Sequence, residues 1–425
     1  MKRQTGLGSI FLVLFADLIG FSILFPLFPS MLTWYGAHDN GLLAWSMEQA
    51  QRLIPVSDPN QRAALFGGLI GAVYAGLQFL VAPTWGRLSD RFGRRPILLI
   101  SLLGSVLSNL LWVFAGNFTL LLLSRVLSGA MSGNTAVANA AVADISTPEN
   151  RSKGMAAVGM AFGLGFIVGP ILGSLFSNVY YPTQEGGLNP FSVPATIAFG
   201  LAVVNLVWVW KSFAETLPVE RRMVTVDGGR TANPFRIFRN DLPVQVHTIN
   251  FAGCLYTFFF AGMEATLGFI AAQQLGMPAS VLGFLFAWTG VVSAAMQGLV
   301  FRKYGQVWGV ARLTAYGFAA QSIGLAMVAL VDYYPSHALL WGGMTVQSIG
   351  IGLVFPGLST LVSLAAPADR QGFAMGTFRS AGSLGRALGP LLAGVAYYLI
   401  APSAPYWIAA LGMLIPLFLV IRLKQ

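Results

Sequence analysis

One stretch decides how this chain folds: Gly86-Arg87-Leu88-Ser89-Asp90-Arg91-Phe92-Gly93-Arg94-Arg95-Pro96. It lies between two long apolar runs, roughly Ala63–Trp85 and Ile97–Ala115, in a protein where charged residues are only 9%. Because such a cluster is too costly in hydrocarbon, the stretch is predicted to form a tight turn at a membrane face. Short loops rich in lysine and arginine stay inside, so this face is predicted to be cytoplasmic. Gly86 and Gly93 allow the turn, and Pro96 suits the first turn of the next helix.

The composition is that of a chain embedded in lipid. Of 425 residues, 56% are hydrophobic, and apolar runs of about 20 residues recur, each long enough to cross ~30 Å of hydrocarbon as a helix. Nothing alternates strand with helix, so the 49 glycines are predicted to pack helices closely. A single cysteine and three scattered histidines favour neither a disulfide framework nor a metal site. We therefore expect no cofactor, and contact with the lipid bilayer rather than nucleic acid.

The apolar runs predict an all-α membrane protein with twelve spans. These are Leu7–Trp34, Ala63–Trp85, Ile97–Ala115, Phe118–Val142, Met155–Ser177, Val193–Phe213, Val244–Ala272, Ser280–Phe301, Gly309–Val331, Ala338–Leu364, Phe373–Leu399 and Ala404–Ile421. The charged, proline- and glycine-containing segment 214–243 divides the chain almost in half. We predict two pseudo-symmetric six-helix bundles, 1–213 and 244–425, joined by a cytoplasmic linker at 214–243.

The distribution of basic residues tests the count of spans. With both termini placed in the cytoplasm, Arg52 and Arg62 fall in outer loops, and Arg125, Arg379 and Arg386 lie inside spans. The other 20 of the 25 lysines and arginines fall on the inner side, a strong positive-inside signal. This explains the net charge of +10 and predicts a multi-pass protein of a bacterial inner (plasma) membrane with both termini cytoplasmic.

The two halves also resemble each other in sequence. The fifth span contains Gly165-Phe-Ile-Val-Gly169-Pro170, and the eleventh contains Gly385-Arg-Ala-Leu-Gly389-Pro390. Since these lie at equivalent places in a six-plus-six arrangement, they indicate an internal repeat.

Several motifs together resemble one family, the major facilitator superfamily, and within it the tetracycline and multidrug proton-antiporter branch. Beside the basic loop, they are Asp17-Leu-Ile-Gly20 followed by Pro26 and Pro29, Leu121-x-x-x-Arg125-x-x-Ser128-Gly129, Ala143-Asp144, and Gly165-x-x-x-Gly169-Pro170-x-x-Gly173. The resemblance covers the whole length and implies a transporter rather than an enzyme. No Walker loop is present, so we expect no nucleotide-driven cycle and a proton gradient as the energy source.

Charged residues inside spans are candidates for coupling, because each costs at least ~2.5–3.5 kcal/mol at a helix centre. Apart from Lys211 and Arg312, which lie at the inner ends of their spans, they are Asp17, Arg125, Glu264, Arg379 and Arg386. Helical rise places Asp17 about 14 Å and Arg125 about 20 Å from the inner side, and the family resemblance implies that their helices face one cavity. An Asp17 that alternates between Arg125 and an apolar cavity would bind and release a proton; the alternative is a permanent salt bridge between helices.

Glu264 is the second candidate acid, and Arg386 lies at a similar predicted depth. A role in proton binding, in substrate binding or in plain helix pairing is open for Glu264. Arg379, nearer the cytoplasmic end, is expected to snorkel or to contact the other half.

The family resemblance implies that the basic loop is a conformational switch. Asp90 is expected at a helix N-terminus of the opposite half, and Arg91 near Asp144 or Glu149, with contacts that break as the halves rock. The alternative is a loop that only sets topology. The full set is Gly86, Asp90, Arg91, Gly93, Arg94, Arg95, Asp144 and Glu149. A second set, Gly165, Gly169, Pro170 and Gly173, is expected to bend the fifth span and to pack against a helix of the other half.

Aromatic and amide side chains are candidates for a large apolar substrate cavity. The aromatic candidates are Phe21, Phe25, Phe28, Trp112, Phe162, Phe258, Phe259, Trp288, Phe355 and Phe378; the amides are Gln78, Asn134, Asn139, Gln297 and Gln347. The sequence thus predicts a proton-coupled exporter of amphipathic small molecules, acting as a monomer by alternating access. A proton-coupled importer or facilitator of a metabolite, and a membrane receptor or scaffold, are the alternatives.

Overall fold

The computed structural model describes residues 6–38, 41, 45, 48–49, 59–145, 151–181, 187–219, 222, 242–305, 307–367 and 371–423. Its longer helices are α1 (Leu7–Ser22), α2 (Phe28–His38), α3 (Pro59–Phe92), α4 (Arg94–Val113), α5 (Phe118–Ala130), α6 (Asn134–Ile145), α7 (Arg151–Leu175), α8 (Ser192–Ser212), α9 (Val244–Leu275), α10 (Ala279–Ala295), α11 (Val310–Leu330), α12 (His337–Ala365), α13 (Gln371–Leu399), α14 (Ala404–Gly412) and α15 (Leu414–Ile421). Within these residues, 8 helical segments are long and apolar enough to cross a membrane.

Several predicted spans are interrupted rather than continuous. A 3-10 turn at Phe25–Leu27 separates α1 from α2, and a π-helical turn at Met296–Phe301 follows α10. The fourth span breaks between α5 and α6, where Trp85 donates its indole N–H to the Ala130 carbonyl over 2.9 Å. The break takes the Ala130 carbonyl out of the regular helical pattern, and the indole N–H supplies its hydrogen bond. Backbone polar groups at membrane depth need such partners because no water is available there.

The chain forms two compact units. Of the described residues, the first unit holds those within Met1–Leu27, Tyr35–Trp45 and Gly76–Pro234, and the second holds the rest. In the first unit α1 packs along α7, and α4 packs along α8. Its core is formed by apolar side chains of several helices, among them Val13, Leu14, Leu98, Val137 and Ala141.

The second unit has a related internal packing. There α9 packs along α13, and α11 packs along α12. The α9–α13 pair occupies the same place in its half as α1–α7 does in the first, since each joins the first and fifth spans of a half. The predicted boundaries at 214 and 243 stay a prediction.

Candidate functional site

The first candidate acid, Asp17, lies on α1 and is partly buried. The side-chain amide of Asn134 donates a hydrogen bond to its carboxylate over 2.5 Å. The amide oxygen of Asn134 accepts a bond from the Ser101 hydroxyl at 2.6 Å, which fixes the direction in which the amide points. Asn134 is the first residue of α6, so the break in the fourth span brings it to this position. The Asp17 carboxylate therefore accepts its hydrogen bond from a neutral side chain.

Arg125 is placed differently from the sequence expectation. Its guanidinium lies over the Trp112 ring, 5.0 Å from the centroid, and its Nε donates to the Ser124 hydroxyl over 3.1 Å. Among the described residues the Asp17 carboxylate bonds to Asn134, and the expected Asp17–Arg125 ion pair is not formed. The physical reason is that Arg125 lies on α5, before the break, and is directed towards the ring of Trp112 on α4.

The second candidate acid, Glu264, is paired with a cation. Arg386 Nη1 of α13 lies 3.3 Å from Glu264 Oε2 of α9, and the Glu264 side chain is only 6% exposed. The Arg386 side chain is 28% exposed, and its guanidinium lies 5.9 Å from the centre of the Phe260 ring. The buried Glu264 carboxylate is thus paired with an arginine whose side chain is still partly exposed. Arg379 is partly buried on the same helix, and the contacts expected of it stay a prediction.

The turn predicted over Gly86–Pro96 is confined to Gly93, because α3 continues as a helix to Phe92 and α4 begins at Arg94. This segment, still called the basic loop, is organised around Arg94. This arginine is 4% exposed; its Nη1 bonds to Asp90 at 2.5 Å and to the Ser89 hydroxyl at 2.7 Å, and its Nε bonds to Asp144 at 2.8 Å. The expected contact between Arg91 and Asp144 is therefore wrong. Arg91 is exposed, with its guanidinium 5.2 Å from the ring of its neighbour Phe92.

The backbone turn at Gly93 explains that difference. Arg94 follows Gly93, whose φ of 102° turns the chain back and directs the arginine between the ends of α3 and α6. Glu149 lies outside the described residues. The contact of Asp90 with the opposite half stays a prediction, as does the switching role of the set.

Glu215 is a member of this cluster that the sequence analysis missed. One of its carboxylate oxygens accepts the backbone N–H of Arg94 at 2.8 Å, and the other accepts that of Arg95 at 3.2 Å. Glu215 thus satisfies two donors at the N-terminus of α4, where negative charge is favoured. It also lies 3.4 Å from Arg222. The only signal in the sequence is an acid directly after the sixth span.

The glycine motif of α7 packs within its own half, which corrects the expected contact with the other half. A Cβ on Gly169 would collide with the Ser22 hydroxyl, and one on Gly165 would lie 2.6 Å from the Leu18 side chain. The Ser22 hydroxyl also bonds to the Gly165 carbonyl at 2.9 Å. Glycine therefore lets α7 approach α1 closely, because any side chain would separate the two helices.

The second unit repeats this arrangement. On α13, a Cβ on Gly385 would collide with the Cys254 carbonyl of α9, and one on Gly389 with the Phe258 carbonyl. The sequence repeat between the two halves is therefore also a repeat of helix packing.

The candidate cavity residues have different environments. Phe25, Phe28, Asn134 and Phe378 are buried; Phe21, Phe258 and Phe259 are partly exposed; Trp288, Gln297 and Phe355 are exposed. The side chain of Phe162 lies outside the described part. Phe21 and Phe25 form an edge-to-face pair at 5.2 Å, and Trp288 donates to the Thr345 hydroxyl at 2.8 Å. Their contact with a solute stays a prediction.

Helices of membrane-spanning length, a packing pattern repeated in the two halves and carboxylates inside apolar spans define a multi-pass membrane transporter. The family model described as Major Facilitator Superfamily matches residues 10–334 and 249–424. The chain belongs to this superfamily, which confirms the twelve-helix, two-bundle fold class and a transporter rather than an enzyme.

Relatives of known name agree with this assignment. The chain is 34% identical to "Major facilitator superfamily domain-containing protein 10" of Bos taurus over 437 residues, 96% of this chain and 90% of that protein. It is 30% identical to the class B tetracycline resistance protein of Escherichia coli, over 81% of this chain and 82% of that one. The crystal structure of the human organic anion transporter MFSD10 (TETRAN) aligns with a TM-score of 0.76 at 30% identity, covering 97% of this chain and 98% of that one.

Proposed function

We propose that this transporter exchanges protons for amphipathic small molecules, and that it exports them by alternating access. The observation that carries the proposal is that each half holds one carboxylate inside an apolar span, Asp17 in α1 and Glu264 in α9. An ionisable side chain within the membrane costs free energy, and such residues commonly mark proton or substrate pathways.

The contacts of Asp17 support its role as a proton carrier. An apolar span disfavours an ionised carboxylate, whereas a donated hydrogen bond stabilises it. The Asn134 amide supplies that bond without the positive charge that would hold Asp17 ionised throughout the cycle. Asp17 therefore takes up and releases a proton as its surroundings change between the two access states.

The contacts of Glu264 support a link between proton and solute. Arg386 binds Glu264 through its Nη1 and is 28% exposed, so the ion pair is accessible to a solute. A polar or cationic group of the solute that binds the ionised Glu264 competes with a proton for the same carboxylate. Solute binding therefore expels the proton and protonation releases the solute, which is an exchange.

The proposed substrate class rests on similarity. One relative is named a tetracycline resistance protein, and a related structure is described as an organic anion transporter. Both names fit solutes with an apolar body and a polar or charged group. We place the protein in a bacterial inner membrane with both termini in the cytoplasm, on the strength of the positive-inside count.

The test is transport in proteoliposomes that hold the purified protein under an imposed pH gradient, with tetracycline and fluorescein as solutes. We expect solute and protons to move in opposite directions, and Asp17→Asn or Glu264→Gln to abolish accumulation. Glu48→Gln, a matched change at an exposed position, should leave it intact.

The alternatives predict other results in the same vesicles. Movement of solute and protons in the same direction would identify an importer. Solute flux that is absent from the wild type, and stays absent from the Asp17→Asn and Glu264→Gln variants, would point to a receptor or scaffold and overturn the proposal.

A further inference from the structure

Two neighbouring helices of the second unit carry the same four residues. The repeats are Gln321-Ser322-Ile323-Gly324 on α11 and Gln347-Ser348-Ile349-Gly350 on α12. A Cβ on Gly324 would lie 2.5 Å from the backbone nitrogen of Gln347. In the same way, a Cβ on Gly350 would lie 2.5 Å from Cγ of Gln321. The two repeats therefore meet where the helices pack, and each glutamine lies against the glycine of the other repeat.

Both glutamine side chains are enclosed by the second unit. Gln321 and Gln347 are each 0% exposed, and the amide nitrogen and oxygen of both have no hydrogen-bond partner among the described residues. The two amides therefore do not bond to each other. A buried amide without a partner is costly, because nothing replaces the hydrogen bonds that it makes in water. Two such amides at one helix contact indicate that a further polar group binds there.

The serines of the repeats do not supply that group. The Ser322 hydroxyl donates to the Ala410 carbonyl over 2.7 Å, and the Ser348 hydroxyl donates to the Met344 carbonyl over 2.5 Å. Both hydroxyl protons are therefore used elsewhere.

A tyrosine of α9 is the third polar group at this contact. The Tyr256 hydroxyl lies close to the Gln321 side chain, although the geometry of a direct hydrogen bond is not met. The Tyr256 ring contacts the ring of Phe318 edge to face, with the centroids 6.3 Å apart. Phe318 lies one turn before Gln321 on α11, so this contact holds the tyrosine at the level of the amide.

The donors and acceptors of this cluster match water rather than an ion. An amide nitrogen donates, an amide oxygen accepts, and a phenolic hydroxyl does both. A cation would use only the oxygens and an anion only the N–H and O–H groups, so either would leave part of the cluster unpaired. A buried water donates and accepts at once, and it makes about three hydrogen bonds to groups of this kind.

We propose that the amides of Gln321 and Gln347, together with the Tyr256 hydroxyl, bind internal water between α9, α11 and α12. Tyr256 lies two turns before Glu264 on α9 and interacts electrostatically with it, so this hydrated site extends the polar environment of the Glu264–Arg386 pair into the second unit. The water site stands on the packing of these three helices and does not depend on the proposed exchange of protons for solute.

The experiment is X-ray radiolytic footprinting of the full chain in lipid nanodiscs, with oxidation of each side chain measured by mass spectrometry. Hydroxyl radicals formed from a bound water oxidise the aromatic side chains beside it, even where bulk solvent has no access. We expect Phe318, which is 0% exposed, to be oxidised faster than Phe118, which is 1% exposed on α5. The comparison needs only the wild-type protein.

Two variants and one control assign the effect to the amides. Gln321→Leu and Gln347→Leu should each lower the oxidation of Phe318 to that of Phe118, because leucine fills similar space without binding water. Gln245→Leu, the same change at an exposed position of α9, should leave the oxidation of Phe318 unchanged.

Three results would overturn the assignment. Equal oxidation of Phe318 and Phe118 in the wild type would show that the amides are dry, and this result stands even if the leucine variants fail to fold. Unchanged oxidation of Phe318 in either Gln321→Leu or Gln347→Leu would show that the two amides do not share a water site. An equal loss with Gln245→Leu would show that the loss is not specific to the buried amides.

Discussion

Removing Arg386 should destabilise the protein far more than removing both members of its ion pair. The two charged groups are 3.3 Å apart, and at an effective dielectric constant of about 20 their attraction is roughly 5 kcal/mol. Desolvation offsets much of that attraction, so the intact pair contributes little net stability. Breaking it from one side leaves Glu264, which is 6% exposed, without a counter-ion, at a cost of about 3–5 kcal/mol.

A double-mutant cycle measures this coupling. We expect Arg386→Gln to lose about 3–5 kcal/mol, and Glu264→Gln to lose less, because the remaining arginine is 28% exposed and can be solvated. The double variant should recover to within about 1 kcal/mol of the wild type, since two neutral amides replace two charges. The assay is reversible unfolding in mixed micelles, with Glu48→Gln as the control. If Arg386→Gln changes stability by less than about 0.5 kcal/mol and the effects add, the pair does not hold α9 to α13.

Two further substitutions test the packing and the basic loop. Gly169→Ala should destabilise the protein by about 1–3 kcal/mol, because its Cβ would collide with α1. The control, Gly163→Ala, places its Cβ in open space and should be neutral or stabilising. Equal melting temperatures for the two variants would contradict the close approach of α7 to α1. Arg94→Gln should cost about 3–5 kcal/mol, because two carboxylates lose their buried cation, while Arg91→Gln should change stability little. Thermal unfolding in detergent compares the two variants. A greater loss of stability with Arg91→Gln than with Arg94→Gln would show that Arg91, and not Arg94, is the main partner of the carboxylates.

The spans and the motif positions could be predicted because their physical causes are local. A run of about 20 apolar residues has few alternatives to a membrane-spanning helix, and arginines between two such runs fix the loop. The same reasoning located Asp17, Glu264 and Arg386, since charge inside an apolar run is visible in the sequence alone.

The partners of those residues could not be predicted in the same way. Treating the fourth span as one continuous helix placed Arg125 near Asp17, whereas the break before Asn134 brings an amide there instead. The glycines of α7 predict a close helix contact but do not specify which helix. Glu215 was missed because an acid after a span resembles any solvated loop residue in the sequence. Only the fold brings it to the N-terminus of α4, where it accepts the backbone N–H of Arg94.

Proton coupling is the central claim, and it is tested most directly by recording proton movement when solute is added. Proteoliposomes with a pH-sensitive dye inside, weakly buffered and without an imposed gradient, would receive tetracycline or fluorescein from outside. We predict that solute entry drives protons out, so that the interior becomes alkaline with the wild type and with Glu48→Gln but not with Asp17→Asn. Solute entry with no change of internal pH, or with the same change in the Asp17→Asn variant, would contradict the account.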